Sequence, residues 1–431
     1  MKSKISKLIA VFTLILLIAQ PVFSSERPTL TKVVVLSRHS IRSPLSDRTS
    51  ALGKITPHKW FEWTSRPSEL SRRGALLETT MGQYFRLWLE SEGLFPENYI
   101  PQAGAVRFYA NGLQRTQATA RYFSAGLLPV SQVPIERHVE YNKRDDTFLP
   151  QFYFLNDKYA EALKAELVKI YGGETFPVYR EKIKDAVKLM VDVLDVSDKA
   201  DYLKNVLEGP MDVKFEYLKE PTLVGEIKIA TSIADALVLQ YYEEKDELKA
   251  AFGHKLSFDD WKKVGSVLGI YQDLLFTSPL TSINVASPMI KEIYSELNQD
   301  NRKFSYLCGH DSTIASVLAA LGVKDYSLPN AIEATTPIGV KLVFERWEDK
   351  AGEAFYKIKL VYQSLEQLRE LQQLSLENPP TIVPVFFKEL EADEQGFVKE
   401  EKLLELFKNK INSFEELKDI FPEEKEIDDA A

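Results

Sequence analysis

Two patterns of apolar positions alternate along this chain of 431 residues. Short unbroken apolar runs bounded by polar residues read as buried strands. They occupy residues 32–37, with Val33-Val34-Val35-Leu36 at the centre, then 105–110 and 303–308. A further pair, 339–347 and 355–363, is close enough in sequence to predict antiparallel neighbours. Between these runs apolar residues recur at helical spacing. Leu76, Leu77, Met81, Tyr84, Phe85 and Trp88 predict a helix over about 71–92. Another is predicted over 114–125, after the break at Asn111-Gly112. A third spans 312–321 and is closed by Gly322. Strands separated by helices predict the α/β class.

The texture changes in the middle of the chain. Residues 156–250 are mostly amphipathic helix, with clear segments at 159–171, 179–194 and 231–244. This reads as a helical lid domain, 146–262, inserted into an α/β domain formed by 25–145 and 263–411. Residues 45–75 read as loop, with Pro57, Pro67 and two tryptophans. The tail after Asn409 is acidic and poor in core residues, and 412–431 is expected to be a loosely packed end or a short helix.

The N-terminus has the pattern of a processing segment. Lys2, Lys4 and Lys7 precede an apolar run over 8–19, and Val22 and Ser24 supply small residues for cleavage after Ser24 or Ser25. The run is short for a membrane span. A signal peptide over 1–24 is therefore expected, with a periplasmic or secreted product and no membrane attachment after cleavage.

Charge and cysteine narrow the field. Net charge is −9, and loss of residues 1–24 would leave −12. That argues against a nucleic-acid partner, which needs a basic face. Cys308 is the one cysteine, so no intramolecular disulfide is possible, and its apolar surroundings predict a buried, inert thiol. The five histidines show no ligand spacing with carboxylates, so no metal and no cofactor are expected, and His58, His138 and His254 read as structural.

The candidate chemistry begins at Arg38-His39-Ser40-Ile41-Arg42-Ser43-Pro44, directly after the first strand. Ligands of open α/β sheets sit outside the carboxyl ends of strands. That rule gathers Arg38, His39 and Arg42 from the first strand, Arg115 from beyond the second, and His310 and Asp311 from the third. Neutral imidazole is a competent nucleophile toward phosphorus, and neighbouring arginines hold its pKa down. Arg38, Arg42 and Arg115 are suited to clamping phosphate oxygens, with His310 as a further donor. Asp311, at a helix N-terminus, is placed to protonate a leaving alkoxide. The ligand class is a small phosphorylated molecule.

These residues resemble the histidine acid phosphatases, whose hallmark is Arg-His-Gly-x-Arg-x-Pro early and His-Asp late. The resemblance extends over nearly the whole mature chain and is nearest to the bacterial periplasmic glucose-1-phosphatases, then to the bacterial phytases. It implies a mixed-sheet phosphatase domain covered by a helical domain, with substrate in the cleft. It places the family's nucleophile on His39, its proton donor on Asp311, and its phosphate ligands on Arg38, Arg42, Arg115 and His310. Ser40 replaces the usual glycine, which is acceptable if its φ is negative. Leu45 replaces a threonine common in phytases and narrows the entrance. Glu243 matches an acidic residue at the cleft of the glucose-1-phosphatases, where a carboxylate would repel a second phosphate and bind sugar hydroxyls. The resemblance thus implies an acid phosphomonoesterase that works through a phosphohistidine and prefers sugar phosphates such as glucose 1-phosphate. A phytase is the alternative, and a non-catalytic phosphate-ester binding protein a further one.

Overall fold

The computed structural model describes residues 27–45 and 51–422. The expected signal peptide and the last nine residues of the tail lie outside the described residues. The chain begins with β1 (Thr29–Arg38), α1 (Arg72–Ser91), β2 (Val106–Ala110), α2 (Gln114–Leu127) and β3 (Ile135–Glu136). A helical stretch follows: α3 (Asp157–Tyr171), α4 (Pro177–Val193) and α5 (Lys199–Glu208), a hairpin of β4 (Asp212–Lys214) and β5 (Thr222–Val224), then α6 (Lys228–Glu243), α7 (Glu247–Ala250) and α8 (Phe258–Phe276). The chain returns through α9 (Pro279–Val285), α10 (Ser287–Leu297), β6 (Phe304–Gly309) and α11 (Asp311–Ala320). It ends with β7 (Lys341–Glu348), β8 (Ala354–Tyr362), α12 (Leu365–Glu370), β9 (Thr381–Pro384), β10 (Val398–Lys399) and α13 (Glu400–Ile420).

The main sheet is mixed. β1 pairs in parallel with β6, and β6 with β2, while β7 runs antiparallel on the other side of β1 and β8 antiparallel to β7. β1 is central and alternates between two cores, as strand geometry requires. Val33 and Val35 face α1 and α2, packed with Phe85, Phe123 and Tyr306. Val34 and Leu36 face α10, α11 and α13, packed with Ile293, Ile314 and Phe407. Burying each such side chain contributes roughly 1.5–3 kcal/mol. A third core joins α4, α6 and α8, and it takes in Ile41 from the loop after β1 and Leu77 from α1.

Several expectations are met closely. Gly322 follows α11 with φ +73°, the left-handed conformation suited to closing a helix. Cys308 is fully buried, and burial pushes its thiol pKa up, so it is inert. Two expected boundaries need correction. Position 262/263 falls inside α8, because Ser257 and Asp260 form a capping box that starts this continuous helix at Phe258. Position 411/412 falls inside α13, which continues to Ile420 and buries Phe414 and Leu417. Among the described residues no helix is long and apolar enough to cross a membrane.

Candidate active site

Register brings three strand ends together. Arg38 pairs with Gly309, and Ala110 with Cys308, so the residues that follow β1, β2 and β6 emerge side by side. They open into a cavity of about 370 Å³ whose lining includes His39, Arg42, Leu45, Arg115, His310 and Asp311. Arg38 lies behind them, with Nη2 3.2 Å from Asp311 Oδ2. Residues separated by more than 270 positions thus share one pocket.

His39 is 3% exposed. Its Nδ1 is 2.9 Å from the carbonyl oxygen of Ser40. A carbonyl can only accept, so Nδ1 carries the proton and Nε2 keeps its lone pair. Burial, more than any single charge, pushes the His39 pKa well below the usual range. Arg115, His310, Arg42 and Arg38 push the same way. The ring is therefore neutral with an available Nε2. Ser40 is not among the residues with positive φ, so serine replaces glycine there without backbone strain.

The arginines differ in what they already hold. Arg38 donates from Nη1 to Glu333 and to the Thr336 carbonyl, both at 2.5 Å. Glu333 also accepts from the Tyr242 hydroxyl at 2.9 Å and the Ile338 N–H at 2.8 Å. Arg42 forks onto Asp235 of α6, at 3.1 and 3.0 Å. Arg115 is different. Its Nε is buried without a hydrogen-bond partner, and the guanidinium makes no ion pair among the described residues. Burial first, and Arg42 second, push its pKa down to about 9. A half-buried cation held by no ion pair carries a desolvation cost, and an entering anion relieves it.

His310 is buried, and its Nε2 accepts from the side-chain amide of Asn111 at 2.9 Å. Its Nδ1 is therefore the protonated nitrogen and a potential donor. The two imidazoles meet edge to face with centroids 5.5 Å apart. Asp311 opens α11 and accepts from the Ser312 N–H at 2.9 Å. Burial works to raise its pKa, but Arg38 and His310 outweigh it and hold the carboxyl low. A phosphate dianion placed beside Asp311 opposes that field.

Leu45 lines the cavity and is 61% exposed, an apolar flank at its entrance. Glu243 does not belong to the set. It accepts from Ser71 Oγ at 2.9 Å, at the N-cap of α1, and is not among the lining residues. The reason is helix geometry: it lies eight residues beyond Asp235, about 12 Å further along α6. The acids that do line the cavity with Asp311 are Asp235 and Glu220. Burial raises the Glu220 pKa, and Asp311 adds to the shift. Arg144, Tyr271, Asn111, Glu333 and Tyr242 were also not anticipated. Of these only Asn111 had a visible signal, at the break after the second strand. Among the described residues no group of three or more His, Cys, Asp and Glu is arranged to hold a metal ion.

Comparison with known proteins agrees with this geometry. The model of the histidine phosphatase superfamily (branch 2) matches residues 29–363. The chain is 35% identical to a glucose-1-phosphatase of Salmonella typhimurium, over 89% of this chain and 92% of that protein. It is 35% identical to a glucose-1-phosphatase of Providencia rettgeri, over 85% and 88%. Among solved structures it is similar to the phytase of Hafnia alvei in complex with myo-inositol hexakis sulphate. The TM-score there is 0.79 at 26% identity, covering 89% of this chain and 97% of that one.

Proposed function

Since the chain belongs to the histidine phosphatase superfamily, branch 2, and is a phosphomonoester hydrolase, we propose that it cleaves small sugar phosphates through a phosphohistidine at His39. The observation that carries this reading is the neutral His39, with a free Nε2, in a cavity shared with the half-buried Arg115, whose Nε is buried without a partner. Arg115 attracts the phosphate, and Arg38, Arg42 and the Nδ1–H of His310 complete its electrostatic cage.

In the first step His39 Nε2 attacks phosphorus. The N–P bond forms, the P–O ester bond breaks, and the carboxyl proton of Asp311 passes to the departing alkoxide. In the second step water attacks phosphorus, Asp311 takes its proton, and inorganic phosphate leaves His39 neutral again. Burial of His39 is what keeps it available in acid, where phosphate monoanions and a protonated Asp311 are most abundant. A pure binding protein needs neither nucleophile nor acid.

The cavity charge favours a substrate with one phosphate. Arg42, Arg115, Arg144 and Lys228 face Glu220, Asp235 and Asp311, so the lining is close to balanced. One dianion suits it, whereas a hexakisphosphate brings many more charges toward Glu220 and Asp235. Leu45 adds an apolar flank where a phosphate would need a donor. The identity of 35% to two glucose-1-phosphatases, against 26% to the Hafnia alvei phytase, supports the same choice. The processing pattern at residues 1–24 supports export to the periplasm or beyond.

Steady-state kinetics with glucose 1-phosphate and inositol hexakisphosphate test the reading. The expected kcat/KM favours glucose 1-phosphate by at least about tenfold. A comparable preference for the hexakisphosphate would make this chain a phytase.

A further inference from the structure

Below the catalytic loop, outside the cavity, a charge pair is enclosed by the protein. Lys341 begins β7 and Glu78 lies in α1; they are 0% and 1% exposed. Lys341 Nζ is 2.9 Å from each carboxylate oxygen of Glu78 and 2.7 Å from the carbonyl oxygen of Gly339. Neither residue lines the cavity, and no step of the reaction uses them. A buried ion pair is a weak source of stability, since apolar side chains of similar volume often serve as well or better. Its presence at this point in the fold calls for another reason.

Besides the Phe123 ring under Lys341 and the Tyr306 hydroxyl at Glu78, the contacts around it lead to the nucleophile. Gly339 donates its N–H to the His39 carbonyl at 3.1 Å, while its own carbonyl is held by Lys341. Gly339 has φ +69°, and a Cβ there would meet Glu78 Oε1 at 3.1 Å, so this backbone rests against the carboxylate. Ser37 pairs with Lys341 across β1 and β7. Its hydroxyl donates to the Arg38 carbonyl at 3.0 Å and accepts from Tyr306 at 2.9 Å. The Arg38 N–H is bound in turn by the Val340 carbonyl at 2.9 Å. In a low-dielectric interior such charge-assisted contacts are stiff.

We propose that Lys341, fixed by Glu78, is a positioning residue for His39: it anchors Gly339, and Gly339 anchors the backbone that aims the imidazole into the cavity. The inference rests on His39 being the nucleophile. It assigns the buried pair to the geometry of attack rather than to the stability of the fold or to substrate binding.

The decisive variant is the double substitution Lys341→Met/Glu78→Leu, which removes both charges and strands neither. Thermal midpoint, kcat and KM for p-nitrophenyl phosphate, and the burst of phosphoenzyme are measured together. The expected result is a midpoint lowered by no more than a few degrees, since the Gly339 carbonyl loses its donor, KM within about twofold, and kcat per burst site lower by about 10- to 100-fold, the range that a displacement of about 1 Å produces. An unchanged kcat in the folded double variant overturns the proposal. So does a fall in kcat matched by a rise in KM and a midpoint lowered beyond that, which marks a general structural element. Should the double variant fail to fold, Glu78→Gln keeps the volume and loosens Lys341. It is expected to lower kcat severalfold at unchanged KM, and an unchanged kcat overturns the proposal. Failure of the nucleophile assignment itself is seen separately, as absence of a His39 adduct in the wild-type burst.

Discussion

The side-chain amide of Asn111 fixes the tautomer of His310. Asn111 Oδ1 accepts from the Asp145 backbone N–H at 3.0 Å, so its nitrogen must face His310 Nε2, 2.9 Å away. Nε2 accepts, and the proton stays on Nδ1. Asn111→Asp replaces that donor by an acceptor. His310 should then carry a proton on Nε2, and its pKa should rise beside the new anion. Nitrogen chemical shifts report the change, and KM for a phosphomonoester should rise about tenfold, equivalent to about 1.4 kcal/mol. An unchanged Nε2 shift would contradict the assignment.

Asp235 occupies both terminal nitrogens of Arg42. Removing its charge leaves that fork to phosphate alone. Asp235→Asn should tighten inhibition by inorganic phosphate about fivefold, on the order of 1 kcal/mol. Initial rates at graded phosphate measure this, and weaker inhibition would mean that Asp235 serves chiefly to hold Arg42 in place.

The pH profile follows from two depressed groups. The His39 pKa lies well below 6.5, chiefly through burial, so acidification from neutrality does not protonate the nucleophile. Asp311 is held low by Arg38 against the effect of burial, so its reactive, protonated form grows as pH falls. The expected kcat/KM is higher at pH 5 than at pH 8, with the acid limb below the ordinary histidine range. A maximum above neutrality contradicts the assignment of these two roles.

Glu333 is the buried counterion of Arg38 and also holds Tyr242 and the Ile338 N–H. Glu333→Ala removes the nearer and more buried of two counterions from a guanidinium that is 3% exposed, leaving it Asp311. The expected loss of stability is about 3 kcal/mol by urea unfolding, with a fall in kcat/KM. Tyr242→Phe removes one hydrogen bond and should cost only about 1 kcal/mol. Equal losses in the two variants would show that Arg38 does not depend on Glu333.

The parts of this site that sequence reveals are those carried by strand ends. Apolar runs locate β1, β2 and β6, and the residues just after them are His39, Arg115, His310 and Asp311. What sequence hides are the partners, because they come from other elements. Glu333 is 295 positions from Arg38 and Asp235 is 193 from Arg42, each a lone acid in a loop or helix. Periodicity identifies α6 but not which end of it reaches the cavity; the resemblance points to Glu243, whereas Asp235 and Glu220 line the cavity. Charge likewise masks the end of α13, where Phe414 and Leu417 keep helical spacing among acids and lysines.

The most direct measurement is alkali-quenched trapping with a phosphomonoester labelled in its phosphoryl group, followed by mapping of the labelled peptide under alkaline conditions. The account predicts acid-labile label on His39 in the wild-type enzyme and none in His39→Ala, which should also lose turnover. Hydrolysis without any retained label, or label on another residue, would contradict it.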